Sequence, residues 1–291
     1  MSTMDYGVFF CVKKIRGALH QKLKKMTIID SAYFKEYRQR LWFTQAWTKT
    51  FFAAKDIHPT VDYNYIELLN TRLVDIINKI NWIVSDKIKS QNIKEFCDNN
   101  IFGVYNRLKE NDIIPKLNNQ WRRIEEVYFS WMRWYVISSF FTKALWIIFN
   151  IGINDINLIW DDDLINIENF KRTPKADLEI HLQDWSLIRI EVQSWFQWTN
   201  DIKQHKVLEA KRVRLELWVS SMVVHFDLFN WQVAFVKVDD IEDNSINRIT
   251  RQQMEWQTVF NIDQNYFMRK LIDNPPSFEK IFEEFSILQN C

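Results

Sequence analysis

Glycine and proline are scarce in this chain, with 4 Gly and 5 Pro among 291 residues. Tight turns draw on both, so few of them and long uninterrupted elements are expected. The three cysteines, Cys11, Cys97 and Cys291, lie far apart. No CxxC and no Cys/His cluster at ligand spacing exists, which argues against structural zinc. An odd, sparse cysteine count suits a reducing compartment. The apolar run Gly7 to Val12 is too short for a secretory signal. A cytoplasmic protein is therefore expected. The P-loop, GxGxxG and HExxH patterns are all missing, so nucleotide hydrolysis and dinucleotide redox chemistry have no support and no nucleotide cofactor is expected.

Trp134 to Ile153 is the longest apolar stretch, but Lys143 sits within it and Arg133 just before it. A membrane span needs about 20 apolar residues with few or no charges. A long buried helix is the better reading, and no membrane contact is expected.

Hydrophobic residues make up 47% of the chain, and it holds 14 Trp and 22 Phe, enough for a large aromatic core. Net charge is +1, so no global basic signature for nucleic acid exists. The charge is uneven, however. Residues 1–40 carry nine Lys/Arg against Asp5, Asp30 and Glu36, whereas the tail after Val238 is acidic. A basic arm permits phosphate binding without demanding it.

Helical periodicity runs through 28–52 and 63–98, with Leu69, Leu73, Ile76, Ile77 and Ile80 at three- and four-residue steps. His58-Pro59-Thr60 interrupts it, because a residue before proline resists the helix. Asn111 to Pro115 is a second break, and Gln120 to about Asn150 reads as one long helix. Ile153 to Trp160 reads as a short strand, with Asp161 to Asp163 as a loop. Asp177 to Gln193 alternates with period two, the pattern of a half-buried strand pair. Asp201 to Trp218 reads as helix and Trp231 to Val238 as strand. Asn244 to Phe260 and Phe278 to Leu288 read as helices. The expected division is a helical region over 1–115 and an α+β domain with an α/β core over 116–291.

The chemistry concentrates in the strand pair. On the first strand Leu178, Ile180 and Leu182 share one face, and Asp177, Glu179 and His181 the other. On the second, Ile188, Ile190 and Val192 oppose Arg189, Glu191 and Gln193. A three-residue turn makes facing residue numbers sum to an even value. Asp177 then falls opposite Glu191 or Gln193 on the polar face. Clustered carboxylates repel each other and lose hydration unless something compensates. A hard divalent cation such as Mg²⁺, which takes oxygen ligands, is the natural partner.

This segment resembles the PD-(D/E)XK nuclease superfamily, which includes many type II restriction endonucleases. Asp177 matches the motif Asp, Glu191 the Glu, and Gln193 the Lys, in a Glu-x-Gln variant. Pro174 precedes Asp177 by three residues, where the pattern has one. The resemblance covers about residues 117–240, in the order helix, strand, hairpin, helix, strand. It implies a restriction-endonuclease-like core, with a central mixed sheet flanked by helices. It implies a Mg²⁺-dependent endonuclease cutting double-stranded DNA at a specific site, and a homodimer if the site is palindromic. Asp177, Glu191 and the Val192 carbonyl would bind the metal, and Gln193 would assist the attacking water. Lys203 and Lys206, with His205, Lys211, Arg212 and Arg214, are candidates for phosphate contacts. The helical residues 1–115 would serve DNA binding or dimerisation. Glu125 or Glu126 is a candidate for a second metal, against the plainer reading of a solvated first helical turn. Trp195, Phe196 and Trp198 could wedge against bases or simply pack the sheet end. His225 and Asp227 share a strand face but lack a nucleophile to form a triad. Two alternatives stay open: a transposon- or phage-linked nuclease without sequence specificity, and a non-enzymatic helical interaction protein with an ordinary exposed hairpin.

Overall fold

A computed structural model describes residues 29–42, 44–54, 56–57, 60–117, 122–152, 156–158, 177–182, 186–197, 200–243, 247–251 and 257–288. Lys13 to Lys25 of the basic arm, Asp161 to Asp163, Pro174 and Trp198 lie outside these residues.

The chain divides at His58/Pro59 into two units. In the first, α1 (Ser31–Arg40) starts at Asp30, whose carboxylate accepts the Tyr33 N–H at 2.8 Å. In the same way the Thr44 hydroxyl caps α2 (Gln45–Phe52) by accepting the Trp47 N–H. Neither helix has a buried residue.

The second unit is α+β, with a mixed sheet flanked by helices. Its helices are α3 (Tyr63–Ile83), α4 (Ile93–Cys97), α5 (Gly103–Glu110), α6 (Ile124–Phe149), α7 (Gln204–Leu217) and α8 (Phe278–Leu288). A π-helical turn, Asp98–Phe102, joins α4 to α5. The expected boundary near Pro115 does not coincide with the division of the chain. Ile66, Leu73 and Ile77 of α3 share one core with Tyr128, Met132 and Phe141 of α6, so α3 cannot separate from α6 without exposing that core. Buried Tyr128 also donates its hydroxyl to Asn70 on α3 at 2.7 Å.

The large sheet has six strands: β1 (Ile156–Leu158), β2 (Leu178–His181), β3 (Leu187–Trp195), β5 (Ser220–Asp227), β6 (Gln232–Lys237) and β9 (Arg269–Lys270). Their order across the sheet is β1-β2-β3-β5-β6-β9. All neighbours are antiparallel except β3 and β5, which run parallel and are linked through α7. The expected order of helix, strand, hairpin, helix and strand is met by α6, β1, β2–β3, α7 and β5. The aliphatic face of the hairpin packs beneath α6, in the same core as Val224 and Phe226. Phe141 of α6 stacks on Phe226 with ring centroids 3.9 Å apart.

α6 is apolar almost all round because it is covered both by α3 and by the sheet. Lys143 is satisfied within it, donating to the Lys89 carbonyl at 2.7 Å. Among the described residues, no helix is long and apolar enough to cross a membrane.

The expected helix over Asn244 to Phe260 is a correction. Its described parts are strands β7 (Arg248–Arg251) and β8 (Gln257–Asn261), which join β4 (Asp201–Lys203) in a second sheet of order β4-β8-β7. Ile202 of β4 and Phe260 of β8 pack with Val207 and Ala210 of α7 in a second core. Asn261 of β8 pairs with Asp201 of β4, far upstream and beyond what local periodicity can sense. Strand β4 also replaces the expected start of the helix, which begins at Gln204.

Candidate functional site

The β2–β3 register pairs Leu178 with Ile190 and His181 with Leu187. Leu182 N–H then donates to the Ser186 carbonyl at 2.9 Å, leaving three residues for the turn. Facing numbers therefore sum to an even value from Leu178 to His181, as a three-residue turn requires.

Asp177 itself sits just before β2, where the ladder leaves its regular register. Its N–H donates to the carbonyl of Ile190, the residue already opposite Leu178, at 3.1 Å, so Asp177 does not fall opposite Glu191 or Gln193 as alternation predicts. The Val192 N–H has consequently lost a strand partner, and the Asp177 carboxylate takes its place, accepting it at 2.7 Å. Asp177 is only 7% exposed, so this charge-assisted bond satisfies a buried donor and a buried anion at once. The Val192 carbonyl accepts from Trp134 Nε1 of α6 at 3.3 Å. Asp177 and Val192 both line a cavity of about 650 Å³, together with Tyr135, Ser139 and Lys143 of α6.

Glu191 and Gln193 turn to the opposite face, towards α7, as alternation along β3 demands. Glu191 lines a small recess there with Arg189, Lys206 and Glu209. Lys206 Nζ lies 2.7 Å from its carboxylate. Burial pushes the Glu191 carboxyl above the usual carboxylate range, while Lys206, a hydrogen bond from Gln193, and Lys203 pull it back. Glu179 is neutralised in turn by Arg189, directly across the strands at 2.7 Å.

Beside Gln193, across the parallel pair, stands His225 on β5. Its Nδ1 is 3.3 Å from Gln193 Oε1 and its Nε2 is 2.8 Å from Asn200 Oδ1. Asn200 also reaches Asp227, donating at 3.4 Å. Burial lowers the His225 pKa to about 4. The result is a polar chain running Lys206, Glu191, Gln193, His225, Asn200, Asp227, half-buried at its first three members and buried at its last three. The carboxylate of Asp227 also accepts the Phe229 and Asn230 N–H groups at the β5–β6 turn, which is a structural task.

Asp177 and Val192 thus meet on one side of the sheet, and Glu191, Gln193 and Lys206 on the other. The Glu191–Val192 peptide joins the two groups. The two carboxylates and the Val192 carbonyl are hard oxygens of the kind Mg²⁺ takes, but the Asp177 and Glu191 carboxylates lie on opposite sides of the sheet and not on the one polar face that alternation predicts. Among the described residues no group of three or more His, Cys, Asp or Glu side chains forms a metal-binding cluster. Glu125 is spent elsewhere: it is buried and accepts the Asp62 N–H at 2.8 Å, capping the approach to α3. Glu126 is exposed on α6.

Most of the basic groups on α7 have acids of their own. Lys211 pairs with Asp243, and Arg212 with Glu209 and Glu216. Lys203 is exposed at the end of β4. Sequence reasoning places Lys206 among phosphate contacts and misses its engagement with Glu191, and it misses the His225–Asn200 link. Helical spacing is blind to which face of α7 meets the sheet. The parallel β3–β5 register could be derived only with the crossover already known.

No protein-family model matches the chain, and no curated protein matches it. Among solved structures, one match is Archaeoglobus fulgidus Hjc, a Holliday junction resolvase from an archaeal hyperthermophile. It is 15% identical, with a TM-score of 0.24, and the match covers 32% of this chain and 66% of that one. At that TM-score the description of the fold rests on the chain's own topology.

Proposed function

We propose that the chain is a divalent-cation-dependent nuclease of the PD-(D/E)XK kind that acts on DNA. The observation that carries this reading is the Asp177 carboxylate bound to the Val192 N–H, one residue from Glu191, at the point where β2 ends. It brings a motif Asp to the middle residue of the Glu-x-Gln triplet, inside an α-β-hairpin-α-β arrangement. Asp177 and the Val192 carbonyl would hold Mg²⁺, with Glu191 joining them once its side chain leaves Lys206, and Gln193 would orient the attacking water. The cation, when bound, would polarise the phosphodiester and ease deprotonation of water. Lys206 brings a positive charge to Glu191, next to the position where the family pattern has lysine and this chain has Gln193. It can offset charge that builds on the phosphate during hydrolysis.

The finer reading is a type II restriction endonuclease, cutting double-stranded DNA as a homodimer and leaving 5′-phosphate and 3′-hydroxyl ends. Residues 1–115 would contribute DNA or dimer contacts, and Lys203 a phosphate contact. A second reading, a non-enzymatic interaction protein, has one observation in its favour: Glu179 and Glu191 each already have a protein cation.

The test is incubation of the full chain with unmethylated phage DNA and Mg²⁺, with EDTA and Glu191→Ala as controls. Discrete fragments absent from both controls support a sequence-specific nuclease, and a smear supports the non-specific one. Intact DNA with Mg²⁺ and Mn²⁺, together with Mn²⁺ affinity unchanged in Asp177→Ala, overturns the nuclease reading.

A further inference from the structure

Just past the Glu-x-Gln triplet, β3 ends in two exposed aromatics. Trp195 is 38% and Phe196 44% exposed, and their rings stack with centroids 6.2 Å apart. The Arg133 guanidinium of α6 lies over the Phe196 ring, 4.2 Å from its centroid, and 5.5 Å from that of Phe129. Among the described residues Arg133 has no carboxylate partner. Burial, and then the positive charge of Arg122, weaken its hold on its proton. Arg122 is exposed and uses one N–H on the Glu126 carbonyl, 3.0 Å away. Like charges repel, so an anion bound at Arg133 would relieve the repulsion from Arg122. The position is anchored, because Trp134, next to Arg133, binds the Val192 carbonyl, and the Trp195 carbonyl accepts the Leu228 N–H at 2.7 Å.

We propose that Arg122, Arg133, Trp195 and Phe196 form a binding surface for an unpaired nucleic-acid strand. A backbone phosphate sits at Arg133, with Arg122 adding positive potential, and a base stacks on the exposed rings. Arginine supplies the forked donors that suit phosphate. Aromatic faces suit bases that are not already stacked in a duplex. An intact duplex offers the phosphate but hides the base face, so single strands, frayed ends and branch points are the favoured partners. The surface deepens the nuclease reading and rests on it, since Gln193 lies two residues before Trp195 and the held strand would lead towards Asp177.

Binding is measured without divalent metal, so it is independent of cleavage. Fluorescence anisotropy in EDTA would compare a labelled oligothymidylate with a duplex of equal length, using the full chain over a salt series. The expected result is tighter binding of the single strand. Trp195→Ala should weaken that binding by about 5- to 150-fold, the range of one base–aromatic stack. Arg133→Gln should weaken it and reduce the salt slope by about 0.7. Thermal melts report whether each variant folds, and Trp195→Phe, which keeps a ring, should retain most of the affinity. Single-strand affinity unchanged in both Trp195→Ala and Arg133→Gln would overturn the proposal, as would duplex preference that ignores both substitutions. Cleavage in Mg²⁺ without any effect of these variants on strand binding sinks this surface and spares the nuclease reading. Strand binding lost in the variants, with no cleavage by the wild type, does the reverse.

Discussion

Lys206→Met tests the electrostatics at the centre of the candidate site. The substitution keeps most of the aliphatic stem and removes the ammonium that lies 2.7 Å from Glu191. Orphaning one partner of a buried ion pair costs about 3–5 kcal/mol. This pair is not fully dry, with side chains 21% and 15% exposed for Lys206 and Glu191. Solvent screening brings the expectation down to about 2–3 kcal/mol. For a domain of about 150–250 residues that is roughly 4–12 °C in Tm. The assay is urea denaturation in EDTA at several pH values. Burial already raises the Glu191 carboxyl in the folded state, and loss of Lys206 raises it further while the unfolded chain is unchanged. The folded variant therefore holds a proton over a wider pH range, and its stability falls as pH rises through that range. The deficit should be full near neutrality and shrink in acid, where a protonated Glu191 needs no cation. Adding Glu191→Gln should restore stability to within about 1 kcal/mol of wild type, because a neutral amide costs far less to bury than an unpaired carboxylate. A deficit that is equal in acid and at neutrality, or that Glu191→Gln does not relieve, would refute the reasoning.

The packing makes three further outcomes testable. Tyr128→Phe removes the donor to Asn70 and leaves a buried amide oxygen unmatched, so the urea midpoint should fall by the equivalent of about 1–3 kcal/mol. Phe141→Ala empties a fully buried ring position stacked on Phe226, and equilibrium unfolding should show a loss of about 3–5 kcal/mol, with a loss under about 1 kcal/mol contradicting the assigned core. His225 is lowered from 6.5 to about 4, so between those values the unfolded chain binds a proton that the folded chain refuses. Stability should drop by on the order of 3 kcal/mol as pH falls through that window, and His225→Asn should flatten that part of the pH–stability curve.

The hairpin is legible in the sequence because its signals are local. Alternation in Leu178, Ile180, Ile188, Ile190 and Val192 dictates a buried aliphatic face, and the even sum of facing residues comes from a three-residue turn. The long helix is legible for a similar reason, since the run from Ile124 to Phe149 holds no proline or glycine and is apolar over most of its circumference. The strands within Asn244 to Phe260 are not legible, because they depend on pairing with Asp201–Lys203. Nor is the division at His58/Pro59, rather than near Pro115, since it depends on α3 packing against α6, which no local pattern encodes.

Composition, spacing and strand alternation by themselves determined the class of the fold, the register of the hairpin and the placement of Glu191 and Gln193 on one face. Only the tertiary structure decided which groups those side chains meet. A strand's period fixes the direction of each side chain relative to its own backbone. Whether Glu191 meets a lysine, Gln193 a histidine or Phe196 an arginine depends on elements brought in from elsewhere in the chain, and on the burial that makes each meeting matter.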